Sequence, residues 1–292
     1  MNGILLIDKP SGWTSSDVVA KLRGILRERR VGHSGTLDPM ATGLLVVFVG
    51  RATRAVEFAE AQEKRYRAAL RLGLETDTQD ITGTPIGGTA REVSREELEA
   101  ALERFRGEIL QIPPMYSAIK VGGKKLYEIA RRGGEVERKP RPVTIHSLEL
   151  LGREGEDWLL DIRCSKGTYV RTLCHDIGTA LGCGGCMSAL RRSEAGAFSL
   201  EQAHSIGQVQ QAADEGRTAE LLIPVDSLFA QLPALRVGQR EERRIRCGNA
   251  VPSQSPEGEY RVYGPDGAFL ALSRVSGGEL KTIKSFYEVD NT

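Results

Sequence analysis

The sequence predicts an α+β protein in two parts, a large mixed portion followed by a small one made mostly of strands. Three observations carry that prediction. Leu44 to Val49 is an unbroken apolar run of strand length, and Lys64 to Leu72 alternates apolar and polar residues with the period of a half-buried strand. Segments beginning at Thr14 and Ser94 open with capping residues and then place apolar side chains at helical spacing. After Leu235, brief strand-like runs alternate with glycine turns, the pattern of a small β barrel. The length of 292 residues suits one large domain with a small companion, or two medium ones. Charged residues at 27% and hydrophobic residues at 40% describe an ordinary globular chain able to bury a core. A net charge of +1 advertises no polyanion binder, so any such surface is a local patch balanced by acid elsewhere. No apolar run approaches the roughly 18 residues of a membrane span. Met1-Asn2-Gly3 leads into a strand without a signal-peptide pattern, so a cytoplasmic protein is expected. Five cysteines, an odd number, argue against a disulfide framework.

Taken in order, Gly3 to Ile7 reads as a strand closed by the turn Asp8-Lys9-Pro10-Ser11-Gly12. Thr14 or Ser15 caps the next helix, with Val18, Leu22, Ile25 and Leu26 on its apolar face and Lys21, Arg23, Arg27, Arg29 and Arg30 opposite. The stretch from Gly32 to Leu45 follows. Gly32 and Gly35 permit backbone angles that side chains forbid, so a sharply folded loop is expected just after the helix. Asp38 precedes Pro39, which disfavours the α region at the aspartate and keeps its carboxylate out of a helix. The apolar strand behind it is a rigid wall on which such a site can be mounted.

Thr53 to Ala61 reads as a short helix, and in the strand from Lys64 the pattern makes Tyr66 core-facing. Thr76-Asp77-Thr78-Gln79-Asp80 has the close carboxylates that suit a divalent cation, but it lacks the acids and spacing of an EF-hand loop and reads as a turn. Residues 120 to 142 hold Lys120, Lys124, Lys125, Arg131, Arg132, Arg138, Lys139 and Arg141 against Glu128, Glu135 and Glu137. With Tyr116 and Tyr127 interleaved, this density suits phosphate contacts, or else a solvated excursion. Val143 to Leu151 and Asp157 to Cys164 read as paired strands, and Ser165 to Leu173 turns into a helix. Cys183-Gly-Gly-Cys186 is half a zinc site or a redox pair at most, since Cys164, Cys174 and Cys247 are isolated. Ile223 to Leu228 and Gln231-Leu232-Pro233 mark a joint between the two parts. Beyond it come a basic helix (Arg240, Arg243, Arg244, Arg246) and strands around Tyr260 to Tyr263 and Phe269 to Ser273.

The residues Gly-His-Ser-Gly-Thr-Leu-Asp-Pro-Met-Ala-Thr-Gly at 32 to 43 resemble the signature of the TruB family, the tRNA pseudouridine-55 synthases. The resemblance is strong over residues 1 to 200 and loose over the last sixty or so. It implies a pseudouridine synthase fold, a mixed and largely antiparallel sheet flanked by helices, over 1–230, with an RNA-gripping thumb at 113–142. It further implies a PUA-like RNA-binding domain over 235–292. Asp38 stands at the place of the family's catalytic aspartate. Lys9-Pro10 matches a pair that braces the active-site loop, Tyr66 the tyrosine that stacks on the target uracil, and Leu190 a leucine that lines its pocket. Tyr169 and Arg171 match a Tyr-x-Arg-Thr segment, and an arginine beside a carboxylate keeps it ionised and aimed. His33 would help fill the place the base vacates. One departure is Cys186, where relatives commonly carry histidine or tyrosine.

The implied substrate is the TΨC stem-loop of tRNA, and the implied enzyme is a monomer without obligatory protein partner, metal or cofactor. Pseudouridine formation breaks the uracil N1 bond to ribose C1′, turns the base and joins C5 to C1′, with neither redox change nor net hydrolysis. It calls for a carboxylate, a dry pocket and extraction of a nucleotide, which costs a few kcal/mol. Asp38 would attack C1′, attack the ring, or remove a sugar proton. Three rivals stand beside this reading: a hydrolytic glycoside cleaver, which would need a paired acid; a non-catalytic tRNA-binding or folding helper; and a guide-RNA-dependent synthase of the dyskerin type.

Overall fold

The computed structural model describes residues 1–287. Its larger part is organised by a nine-stranded sheet in the order β1 (Gly3–Lys9), β3 (Thr42–Val49), β12 (Gly185–Ala195), β4 (Lys64–Leu72), β11 (Asp157–Cys164), β10 (Arg141–Glu154), β7 (Gly107–Gln111). Two further strands join it, β2 (Val31–Ser34) on β3 and β13 (Phe198–Ser199) on β12. Pairing is antiparallel except between β3 and β12, where Thr42 meets Arg191 and Gly43 meets Arg192 in parallel. Two hairpins lie outside the sheet: β5 (Glu75–Thr76) with β6 (Pro85–Gly87), and β8 (Lys120–Val121) with β9 (Lys124–Lys125). The second opens into a short helix, α4 (Leu126–Ala130), so the basic segment carries local structure of its own.

Burial follows the sequence pattern. The alternation of β4 sends Tyr66, Ala68 and Leu70 into a core shared with α3 (Arg95–Leu102) and α5 (Val170–Ala180), while Arg67 faces outward. β3 is covered on both faces. Leu45, Val47 and Val49 pack with α1 (Ser15–Leu26) and α6 (Ile206–Asp214), whereas Leu44, Val46 and Phe48 pack with Phe198 and Phe229. A strand clad on two sides has no polar face to show, hence its unbroken apolar run. Thr14 caps α1 by accepting from the Asp17 amide at 3.0 Å, and Ser94 caps α3 by accepting from the Glu97 amide at 3.1 Å. Residues 53–61 are helical as expected, a 3-10 turn followed by α2 (Val56–Glu60).

One expectation needs correction. Gly32 does not belong to a loop; it lies in β2, opposite Phe48, without a left-handed φ. The positive angles belong to Gly35 (φ +65°) and Gly43 (φ +97°), so the folded loop is shorter, beginning at Gly35. β2 escaped notice because four residues are too few to display a period.

The small part is a curled five-stranded sheet, a half-barrel, in the order β14 (Ala234–Arg236), β16 (Gly258–Tyr263), β17 (Phe269–Ser276), β18 (Glu279–Ser285), β15 (Val251–Pro252). Its core of Val262, Leu270, Val275 and Leu280 is closed by Ile245 of the basic helix α7 (Gln239–Arg246). The joint is packed. Phe229 meets Phe58 edge-on at 5.2 Å between ring centroids and lies 6.3 and 6.1 Å from Phe269 and Phe286.

Candidate active site

The loop that carries Asp38 exists because of how β3 shares one edge. β2 pairs with Val46 to Val49 along that edge, and β12 takes over at Thr42 and Gly43. The chain between β2 and β3 must leave the sheet at this exchange, and residues 35–41 are that excursion. The turn after β1 fastens it. The Leu37 amide donates to Ser15 Oγ at 2.9 Å, and the Gly12 amide donates to the Pro39 carbonyl at 2.9 Å. Lys9 Nζ donates to the carbonyls of Trp13 (2.6 Å), Pro10 (2.9 Å) and Pro39 (3.3 Å). Lys9 is fully buried, and burial pulls its pKa down to about 8 against the opposing charge of Asp38. Lys9 therefore binds the backbone immediately behind the aspartate, while Pro10 is exposed and contributes a carbonyl.

Asp38 Oδ1 accepts from Arg171 Nη2 at 3.0 Å. Arg171 stands in the first turn of α5 with its side chain only 8% exposed, against 30% for Asp38. Its Nη1 lies 3.7 Å from Asp80 Oδ2, so one guanidinium sits between two carboxylates. Burial raises the Asp38 pKa, Arg171 opposes that rise, and Asp80 adds to it. The result is a carboxylate more basic than a solvated one yet still paired, a state suited to base or nucleophilic work.

Asp80 was not singled out by sequence reasoning. The segment 76–80 is a turn, with Gln79 at φ +64°, but it is not solvated: Asp80 is 4% exposed. Thr78 Oγ1 and the amide and hydroxyl of Thr82 all donate to its carboxylate. The turn docks on β12 through Met187, whose amide donates to the Gln79 carbonyl at 3.1 Å, and on α5 through Thr172 Oγ1, which donates to Gln79 Oε1 at 2.7 Å. A threonine two residues to either side of an aspartate was the available signal.

Tyr66 on β4 and Leu190 on β12 share one apolar cluster with Leu37 of the loop. The Tyr66 hydroxyl pKa is raised by burial, opposed by Arg192, with Asp38 adding to the rise. Tyr169 precedes α5, its backbone held twice by the Gln111 side chain, at 3.0 and 2.8 Å. Burial raises its hydroxyl pKa too, with Arg171 opposing and Asp38 adding. The structure thus brings Lys9, Tyr66, Tyr169 and Arg171 within electrostatic reach of Asp38, and Leu190 joins Tyr66 and Leu37 in the apolar cluster. His33 lies on β2; burial and then Arg192 pull its pKa down, which keeps the ring neutral at pH 7. In the basic segment Lys125 and Arg131 each lie 5.4 Å from the Tyr127 ring centroid. Cys183 and Cys186 are both buried, and among the described residues no three His, Cys, Asp or Glu side chains converge as a metal site requires.

Solved structures share this architecture over nearly its whole length. A Cbf5-Nop10-Gar1 complex contains a chain with TM-score 0.74 at 26% identity, covering 98% of this chain and 85% of that one. An H/ACA RNP bound to a substrate RNA containing 2′-deoxyuridine gives TM-score 0.74 at 24% identity, covering 99% and 86%. The fold is that of the pseudouridine synthases. Residues 23–170 match the TruB family pseudouridylate synthase N-terminal domain, and residues 171–230 match the tRNA pseudouridylate synthase B C-terminal domain. The tRNA pseudouridine synthase B of Chromobacterium violaceum is 46% identical over 289 residues, 97% of this chain and 94% of that protein. That of Aromatoleum aromaticum is 44% identical over 278 residues, 95% and 90% of the two chains. The chain belongs to the TruB family.

Proposed function

We propose that this chain isomerises uridine to pseudouridine in tRNA, at position 55 of the TΨC loop, with Asp38 as the acting carboxylate. The observation that carries the proposal is the half-buried Asp38 carboxylate held at 3.0 Å by Arg171, with Tyr66 and Tyr169 within electrostatic reach of it. The flat Tyr66 ring suits a base taken out of its stack, and Leu190 closes the apolar side against water. Atoms balance without an outside reactant: the N1–C1′ bond breaks, C5 bonds C1′, the C5 proton leaves and N1 gains one. Basic residues at 120–142 and on α1 would repay the extraction of the nucleotide through phosphate contacts. We assign residues 1–230 to catalysis and 235–292 to RNA binding in a monomeric, cytoplasmic enzyme.

Tritium release from tRNA labelled at uracil C5, followed by mapping of the modified position, tests this directly. Purified chain with unmodified transcript and nothing else is expected to convert one uridine, at 55. Asp38→Asn is expected to abolish conversion while leaving tRNA affinity within a few-fold, and a variant with wild-type turnover would sink the assignment. A primary isotope effect from deuterium at ribose C2′ separates removal of that proton from attack at C1′ or on the ring. The fold shared with H/ACA particles favours one second reading, a guide-dependent synthase, which predicts no conversion of naked tRNA. Free uracil in the product would mark a hydrolase instead.

A further inference from the structure

We propose that Arg192 is a positioning residue for the isomerisation: its guanidinium stands in for the strand missing between β2 and β12 and clamps both ends of the loop that carries Asp38. The proposal rests on the reading of Asp38 as the acting carboxylate. Leu44 lies between the last rung of β2, Ser34 with Val46, and the β12 rung of Arg192 with Gly43, where β3 has no neighbour on that edge. Arg192 Nε donates to the Leu44 carbonyl at 2.6 Å, and its Nη2 donates to the Gly35 carbonyl at 2.9 Å. The first carbonyl lies in β3, three residues past the excursion, and the second at its start. Without those donors, two carbonyls at the strand exchange would lose their partner.

The surroundings close on Arg192 through its guanidinium at one glycine and through its backbone at another. A Cβ on Gly35 would come within 3.1 Å of Arg192 Nη1, and a Cβ on Gly43 within 2.3 Å of the Arg192 carbonyl oxygen. Both glycines flank Asp38, so the loop and the arginine interlock. Arg192 is 1% exposed, and no carboxylate pairs with it among the described residues. A buried cation without a counter-charge is an expensive scaffold, where a neutral donor would satisfy one carbonyl at lower cost. What the guanidinium adds is reach in a fixed plane, to two carbonyls nine residues apart. One group thereby holds β3 and the start of the loop that carries the acid at a set distance.

The test compares Arg192→Lys, which keeps the charge and can satisfy one carbonyl, with Arg192→Gln, each checked for folding by circular dichroism. Tritium-release kinetics under single-turnover and steady-state conditions separate kcat from KM, and filter binding gives the Kd for tRNA. Displacing the carboxylate by an ångström is expected to lower kcat on the order of 100-fold, with KM and Kd within about three-fold of the wild type. A folded Arg192→Lys protein with wild-type kcat, or a loss confined to KM, overturns the proposal. Asp38→Asn run alongside distinguishes the two failures. If that variant is dead while Arg192→Lys is fully active, only the clamp is wrong; if Asp38→Asn still turns over, the underlying reading is wrong.

Discussion

The charge state of Asp38 is set by a contest between burial, which favours the neutral acid, and the Arg171 guanidinium, which favours the carboxylate. If the ionised form acts, the rate rises with pH through the pKa of the folded protein, so the acid limb should lie above the ordinary aspartate value of about 3.9. Arg171→Met removes the opposing cation and leaves Asp80 as an unshielded neighbour. Its acid limb is expected at higher pH than the wild type's, with a lower rate at neutrality, in single-turnover rates measured between pH 5 and 8. An unmoved limb would show that Arg171 does not govern the ionisation. Asp38 was legible because Gly35 and Pro39 mark its loop and because residues 32 to 43 resemble the TruB signature. Asp80 and Arg192 were not, since burial and a partner far along the chain are what set them apart. Arg192 bonds a carbonyl 157 residues away, and no local pattern encodes that.

At the level of elements, the exchange of β2 for β12 along β3 explains both the loop and the glycine that ends it. Gly43 adopts φ +97° directly against the Arg192 backbone, in the parallel pairing of β3 with β12. Gly43→Ala combines backbone strain with a collision against main chain, and is expected to cost about 3 kcal/mol or more of stability in urea unfolding. An alanine variant as stable as the wild type would mean that the rung can open without penalty. β4 was readable because alternation and burial agree along it, and β3 because its apolar run is unbroken and clad on both faces. β12 was harder. A bulge between Met187 and Ala189 and another after Arg192 shift its register against β4, so alternation is interrupted where the site residues lie.

For the molecule as a whole, near-neutral charge conceals a strongly basic stretch whose role is electrostatic if it grips RNA. Replacing Lys120, Lys124, Arg131 and Arg132 together by glutamine should weaken tRNA binding and flatten its dependence on log salt by up to about 3 units of slope, while turnover at saturating tRNA changes little. A salt slope unchanged by the four substitutions would remove the segment from the interface. The two-part organisation was visible in composition alone, but the seam between the parts was not. Phe229 comes from the supposed linker, yet it interlocks Phe58 with Phe269 and Phe286. With four rings wedged at that seam, pocket and half-barrel keep a set separation, like the jaws of a locked caliper. If the half-barrel grips RNA, a substrate whose stem is lengthened would offer its uridine out of reach, however faithful its loop sequence.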